Sequence, residues 1–107
     1  MIERSHQLNL IFASLSHPIR RDILRRGIRE EMSVTDLAKP YGVSIAAISK
    51  HIQILEKAGL ISKRRRGKQQ YVLLVPRTFR EASSYLKHYE KIWNDRLDSL
   101  ERYLLTL

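Results

Sequence analysis

The sequence predicts a mainly α-helical domain that contains one small β-hairpin. Apolar residues recur at helical spacing over residues 5–15 and again over residues 79–105, and neither segment contains glycine or proline. Residues 60–75 favour two strands around Gly67, because they are rich in β-branched and aromatic side chains. The chain has 107 residues and no linker-like or repetitive segment, so we expect a single domain over residues 1–107.

Two helices are predicted at the start of the chain. Residues 5–15 form the first, and Pro18 suits the first position of the second. Gly27 is expected to end this second helix as a C-cap. The apolar stripes consist of Leu8, Ile11, Phe12 and Leu15 in the first helix and of Ile19, Ile23 and Leu24 in the second.

Residues 33–58 follow the order helix, short turn, helix. Ser33, with an acidic residue three positions later, is typical of a capping box at a helix start. Pro40 should end or bend that helix, and Gly42 is expected to have a positive φ in the connection. Ser44 should cap a longer helix that stops at the next glycine. This order is that of a helix-turn-helix.

The second helix of this pair has an apolar face and a face of small and polar residues. At 100° per residue, Ile48, Ile52 and Leu55 share the side expected to face the core, with Ile45 and His51 at its edges. Small residues on the other side would let the helix lie close in a DNA major groove. There, side chains can bond to base edges or touch a thymine methyl group. The residues expected to contact DNA from this helix are Ser44, Ile45, Ala46, Ser49, Lys50 and Gln53.

The positive charge of the chain is concentrated around this helix and the hairpin. The formal net charge is +9, and residues 44–70 hold seven Lys and Arg against Glu56 alone. Such a concentrated field attracts a polyanion. The hairpin tip is bracketed by Arg64, Arg65, Arg66 and Lys68, which are expected to reach phosphates or an adjacent minor groove. A helix-turn-helix followed directly by a basic hairpin is the order of a winged helix, with the wing at about residues 60–75, and it predicts duplex DNA as the partner.

Several motifs resemble those of the ArsR family of winged-helix repressors. They are Val34-Thr35-Asp36-Leu37-Ala38, Gly42-Val43-Ser44, Ile48-Ser49-Lys50-His51-Ile52, Leu55-Glu56-Lys57-Ala58-Gly59-Leu60-Ile61 and His17-Pro18-Ile19-Arg20-Arg21-Asp22-Ile23-Leu24. The resemblance covers about residues 8–75. It implies a homodimeric, cytoplasmic, prokaryotic transcriptional regulator that usually represses by covering operator DNA.

The chain departs from the pattern of this family at three positions. Ile45 and Ala46 stand where family members often carry Gln and Ser, so we expect more of the specificity to come from thymine methyl contacts and DNA shape. Pro40 stands where leucine is common, which leaves the turn geometry open.

The ligand positions of metal-sensing relatives are not matched. The chain has no cysteine, and Ser33 and Thr35 stand where the thiolate-binding type has its ligands. On the last helix, His88 with Glu90 two residues later does not fit the pattern of the zinc and nickel type. We therefore expect no transition-metal site and no cofactor.

The last predicted helix is too long for the domain that bears it. About 27 residues span roughly 40 Å, whereas a compact domain of this length has a diameter of about 34 Å. Its apolar stripe needs another surface, which predicts a two-fold homodimer; packing within one chain is the alternative. The expected interface residues are Leu8, Ile11, Phe12 and Leu15 from the first helix and Leu86, Tyr89, Trp93, Leu97, Leu100 and Leu104 from the last.

Other classes of function find less support in the sequence. The chain lacks a cysteine nucleophile and a glycine-rich phosphate loop, so we expect no enzyme. A winged-helix module that binds protein or RNA, without operator recognition, stays as the alternative.

Apolar runs are far shorter than the roughly 20 residues of a membrane span, and Glu3, Arg4 and His6 interrupt the only apolar start, so a cytoplasmic protein is expected. Release from DNA is left open between a small-molecule inducer, a protein inducer and a change in protein level.

Overall fold

The computed structural model describes residues 2–107, and Met1, which belongs to the expected domain of residues 1–107, lies outside the described residues. Five α-helices and three short strands follow one another. Their bounds are α1 Ile2–Ser14, α2 Pro18–Arg29, β1 Met32–Ser33, α3 Val34–Ala38, a 3-10 turn Lys39–Tyr41, α4 Ile45–Lys57, β2 Ile61–Arg66, β3 Gln69–Leu74 and α5 Pro76–Leu105. The mainly helical fold with a small β-hairpin is confirmed.

Side-chain caps set the starts of three helices. The Oγ atoms of Ser33 and Ser44 each accept a hydrogen bond from the backbone N–H three residues later, both at 3.1 Å. His17 caps α2 with its ring, since Nδ1 accepts from the backbone N–H of Ile19 at 3.1 Å. These bonds satisfy N–H groups that have no partner within the helix. The predicted starts of α2, α3 and α4 are confirmed.

The turn between α3 and α4 also follows the prediction. Pro40 lies in the 3-10 turn directly after α3, and Gly42 has a φ of 63°. Gly59, just after α4, has a φ of 80°. Glycine has no Cβ penalty in this left-handed region, so the chain reverses at both points without strain.

The sheet contains one more strand than the sequence predicts. Its order is β1-β3-β2, and all neighbours are antiparallel. In the hairpin, Ile61 pairs with Leu74 and Arg66 with Gln69, while Met32 of β1 pairs with Val72. A strand of two residues is too short to show a period, so only the pairing with β3 reveals it.

The core lies where α1–α4 meet the base of the sheet. Its largest fully buried apolar side chains come from every helix of this group and from the residue just before β2; they are Ile11, Ile23, Leu37, Ile48, Ile52, Leu55 and Leu60. Ile48, Ile52 and Leu55 form the core-facing side of α4, as predicted. The opposite face of that helix is therefore fixed toward solvent.

Two expectations are corrected by this packing. Gly27 does not end α2, which continues to Arg29; it lies inside the helix, where an added Cβ would come within 3.1 Å of Leu74 Cδ2. Glycine at this point lets α2 approach β3 closely. Ile11 was expected at a subunit interface, but only 1% of its surface is exposed because it packs in the core of its own chain.

The last helix extends far beyond the rest of the chain. It begins at Pro76, three residues earlier than predicted, because proline fits the first turn of a helix. The described residues have a radius of gyration of 18.4 Å and extents of 67 × 32 × 21 Å, whereas a compact chain of this length has a radius near ~13 Å. None of the helices in residues 2–107 combines the length and apolar character of a membrane span.

Candidate nucleic-acid interface

The face of α4 that points away from the core carries the residues expected to read DNA. Ala46, Lys50 and Gln53 are exposed there, and Ser49 is half-buried at the flank. Ile45, expected at the edge of the core face, leaves 52% of its surface in solvent at the first position of the helix. Ser44 is exposed while it caps the helix. The side chains that follow Ile45 on α4 are short, since alanines occupy positions 46 and 47.

One isoleucine on this face was missed by the sequence analysis. Ile54 lies one helical turn after Lys50 and leaves 41% of its surface exposed. Lys57 is exposed near it. The spacing of 100° per residue already places Ile54 beside Lys50, so the helical projection was sufficient to find it.

The N-terminal part of α2 fixes the orientation of α4. Arg20 is 9% exposed; its Nε donates to the carbonyl of Ser14 at 2.6 Å, and its Nη1 donates to Nδ1 of His51 at 3.0 Å. The rings of His17 and His51 lie 4.4 Å apart between centroids. Burial lowers the pKa of His51, and electrostatic interaction with its basic neighbours His17 and Arg20 lowers it further. These contacts connect α1, α2 and α4 at one point.

A second network fixes the turn before α4. Tyr41 donates a hydrogen bond to Asp22 at 2.6 Å, and Arg26 Nη1 donates to the Tyr41 hydroxyl and to the carbonyl of Leu37. The guanidinium of Arg26 also lies over the Tyr41 ring, 5.4 Å from its centroid. The hydrogen bond from Tyr41, followed by that from Arg25, lowers the pKa of Asp22. α2 thereby holds both the end of α3 and the turn that leads into α4.

The basic residues of the wing, defined as β2 and β3 with their connection, divide between the two faces of the hairpin. Alternation along β2 places Lys63 and Arg65 on the face of the buried Ile61, and Arg64 and Arg66 on the opposite face. Arg64, Arg65 and Lys68 are exposed, and Arg65 Nε donates to the carbonyl of Gly67 at 3.2 Å. Lys63 pairs with Glu56 of α4 at 3.4 Å, which joins the wing to the helix. The tip is cationic on both faces.

Arg66 has an acidic partner that the sequence did not reveal. Its Nη2 lies 2.5 Å from Oε2 of Glu31, just before β1. Its guanidinium also lies over the ring of Tyr71, 5.0 Å from the centroid. Part of its charge is therefore compensated within the chain, unlike that of a solvated arginine.

The end of α4 is bonded directly to the start of α5. The buried Thr78 donates from Oγ1 to the carbonyl of Gly59 at 2.6 Å, and the N–H of Val75 donates to the carbonyl of Leu60 at 3.0 Å. The position of α5 is thus coupled to that of α4.

Among the residues that the structure describes, most of the apolar stripe of α5 lies open to solvent. Every residue from 83 to 107 is exposed. The predicted interface residues Leu86, Tyr89, Trp93, Leu97, Leu100 and Leu104 all belong to this stretch, with Trp93 leaving 62% of its surface in solvent. Leu8, Phe12 and Leu15 of the first helical segment are half-buried, and the rings of Phe12 and Tyr85 lie 5.9 Å apart.

The described residues offer little for metal binding. Among residues 2–107, no group of three or more His, Cys, Asp or Glu side chains is arranged to hold a metal ion.

A groove of about 450 Å³ runs between α1 and α5, lined by Ser5, Gln7, Leu8, Ile11, Glu81, Ser84, Tyr85 and His88.

Comparison with known proteins identifies the helix-turn-helix region independently. A family model described as "Helix-turn-helix domain" matches residues 15–64. A "Transcriptional repressor SmtB homolog" of Synechocystis sp. is 30% identical over 90 residues, which cover 80% of this chain and 68% of that protein. The "Transcriptional repressor SdpR" of Bacillus subtilis is 29% identical over 82 residues, 77% of this chain and 91% of that protein.

Solved structures agree with these relatives across nearly the whole fold. A structure described as an "ArsR family transcriptional regulator" superposes with a TM-score of 0.78 at 31% identity, covering 84% of this chain and 93% of that one. An "ArsR-like Transcriptional Regulator from Rhodococcus sp. RHA1" gives a TM-score of 0.76 at 26% identity and covers 92% of both chains. The chain belongs to the ArsR family of winged helix-turn-helix transcriptional regulators.

Proposed function

We propose that the protein is a DNA-binding transcriptional repressor that acts as a homodimer on an inverted-repeat operator in the cytoplasm. The observation that carries this proposal is the adjacency of two surfaces, which the Lys63–Glu56 ion pair joins: the face of α4 with the exposed Ala46 and Lys50 and the half-buried Ser49, and the wing with its basic tip. The first suits the edges of bases in a major groove, and the second suits backbone phosphates. Relatives named as repressors support the same activity.

The exposed stripe of α5 supports a homodimer. A contiguous row of large apolar side chains over several helical turns is rare on a monomeric protein surface. Two copies related by a two-fold axis would cover each other's rows with one self-complementary surface. The proposed interface takes Leu86, Tyr89, Trp93, Leu97, Leu100 and Leu104 from α5 and Leu8, Phe12 and Leu15 from the first helical segment; Ile11 is left out because it is buried in its own chain.

A two-fold dimer determines the form of the operator. Two copies of α4 would enter successive major grooves about 34–36 Å apart, so the half-sites should be inverted repeats separated by about one helical turn. If the dimer contacts about 6–10 phosphates, its affinity should fall by about 10³–10⁵ between 50 and 200 mM salt.

Selection from a random pool of duplexes tests the proposal. We expect the bound sequences to share an inverted repeat, and sedimentation of the purified chain at micromolar concentration to give a dimer. A matched pool of single-stranded RNA serves as the comparison. Preferential binding to RNA, or the absence of a shared duplex motif, would instead favour the RNA-binding or protein-interaction module.

A further inference from the structure

We propose that α4 reads the C5-methyl groups of thymines through Ile45 and Ala46, so that each operator half-site carries a thymine at the contacted positions. The inference rests on the proposed function, because it requires α4 to enter the major groove. It specifies which chemical feature of the operator gives part of the selectivity.

The exposure of Ile45 is the first observation. It occupies the first position of α4 and leaves 52% of its surface in solvent, although its type is among those most often buried. A single exposed isoleucine elsewhere needs no explanation. Ile45 lies at the N-terminal end of α4, the helix that would approach the groove, next to the exposed Ala46.

The helical spacing supplies the second observation. Ile45 and Ser49 are four residues apart and share one row, and Ala46 shares the neighbouring row with Lys50. The apolar side chains are therefore flanked by groups that can bond to bases or phosphates. Each polar group would hold the helix in place while its apolar neighbour meets a base edge.

The chemistry of the groove provides the match. The thymine methyl is the apolar group that unmodified base pairs present in the major groove, and contact with small or aliphatic side chains removes it from water. The Cβ atoms of Ala46 and Lys50 are about 5–6 Å apart in a helix, whereas successive base pairs are separated by about 3.4 Å. Because the ammonium group of Lys50 lies several ångströms beyond its Cβ atom, the thymine contacted by Ala46 should lie within a few base pairs of the site bound by Lys50.

Replacement of thymine by uracil in the selected operator tests the inference. Uracil keeps every hydrogen-bonding group of thymine and lacks only the methyl group. We expect one or two positions per half-site at which this replacement lowers affinity by about fourfold each, the value for one buried methyl-sized group. Replacement at flanking thymines outside the half-sites should leave affinity unchanged and controls for effects on DNA stiffness.

The variant Ile45→Ala assigns the contact to a side chain. At the position that faces Ile45, the uracil penalty should disappear in this variant, because the partner of the methyl group is gone. Ile28→Ala is the matched control: Ile28 is an exposed isoleucine near the end of α2, and its variant should keep the full penalty. Circular dichroism and thermal unfolding verify that both variants fold.

The outcomes separate this inference from the proposed function. A selected operator whose half-sites tolerate uracil at every thymine overturns methyl recognition while DNA binding stands. Uracil penalties that persist unchanged at every position in Ile45→Ala, or half-sites without thymine, also overturn it. Failure of the chain to bind any duplex overturns the proposed function itself.

Discussion

The guanidinium of Arg20 donates a hydrogen bond to Nδ1 of His51 at 3.0 Å, across the contact between α2 and α4. Because an arginine side chain only donates, Nδ1 must act as the acceptor, and the proton of neutral His51 lies on Nε2. The orientation of the helix proposed to read DNA therefore depends on a histidine that is uncharged.

Acidification should weaken this contact. The pKa of His51 is lowered below 6.5 by burial first and then by electrostatic interaction with its basic neighbours His17 and Arg20. The unfolded chain thus takes up a proton on His51 at a higher pH than the folded chain does. The free energy of unfolding should be fully retained above about pH 6.5 and should decline as the pH falls below it. Urea unfolding between about pH 7.5 and 5.5 measures this decline.

The variant His51→Gln attributes the effect to this residue. Glutamine can accept from Arg20 without titrating, so the decline across the window should become shallower. His6→Gln removes an exposed imidazole of α1 away from this contact and serves as the matched control. Asp22 titrates below this window, because its pKa is lowered by the hydrogen bond from Tyr41. Equal slopes in the wild type and His51→Gln would contradict the assignment.

The sequence was sufficient wherever structure is decided locally. Ser33, Ser44 and Gly42 act as predicted, because caps and left-handed turns depend on a few neighbouring residues. The exposed face of α4 also followed from its period. The prediction that Gly27 ends α2 was wrong, because the sequence does not distinguish a glycine at a helix end from a glycine at a close packing contact. Only the fold shows that Leu74 lies beside Gly27.

Features that depend on distant residues were not predictable. β1 is recognisable only through its pairing with β3. Ile11 belongs to the apolar stripe of the first helix, and the sequence does not show which members of that stripe lie in the core and which lie at the surface. The sequence places the wing arginines together at the hairpin tip, but strand alternation puts them on two faces, and Glu31 pairs with Arg66. Charge counts along the chain contain no information on which partners the fold brings together.

Removal of the Glu31 carboxylate should strengthen sequence-independent DNA binding. In Glu31→Gln, Arg66 loses its ion pair and becomes available to a phosphate, so affinity for random duplex should rise and the slope of log K against log salt should steepen by up to about 1. The stability cost should be small, because exposed pairs contribute about 0–1 kcal/mol. Glu30→Gln removes the same charge from the exposed neighbouring residue. An equal gain in both variants would indicate a general charge effect.

Base and phosphate contacts should respond differently to truncation. If Lys50 bonds to a base, Lys50→Ala should reduce discrimination between operator and random duplex by about 1–3 kcal/mol at one position. Arg65→Ala should weaken binding to all sequences and lower the salt slope by about 1. Competition binding at several salt concentrations measures both. A uniform loss in Lys50→Ala would place Lys50 on a phosphate instead.

The hydrogen bond from the buried Thr78 to the carbonyl of Gly59 should contribute measurably to the free energy of unfolding. Thr78→Val keeps the shape of the side chain and leaves the Gly59 carbonyl without this donor, so the free energy of unfolding should fall by about 1–3 kcal/mol. Thr78→Ser keeps the hydroxyl and should recover most of the loss. Thermal unfolding of the three proteins makes the comparison. A serine variant as unstable as the valine variant would assign the effect to packing of the methyl group.

A charge in the middle of the exposed stripe of α5 should separate the proposed dimer. Leu97 is more than half exposed in the single chain, so Leu97→Glu should fold, but a dimer would bury two unpaired carboxylates near its axis. We expect a monomer in sedimentation and a loss of about 10²–10⁴ in affinity for the full inverted repeat, because the second half-site no longer benefits from a high effective concentration. Binding to an isolated half-site should be unchanged. The control Lys91→Glu places a carboxylate on the opposite face of α5, and this variant should stay dimeric. A Leu97→Glu variant that is dimeric and binds the operator with full affinity would rule out this surface as the interface.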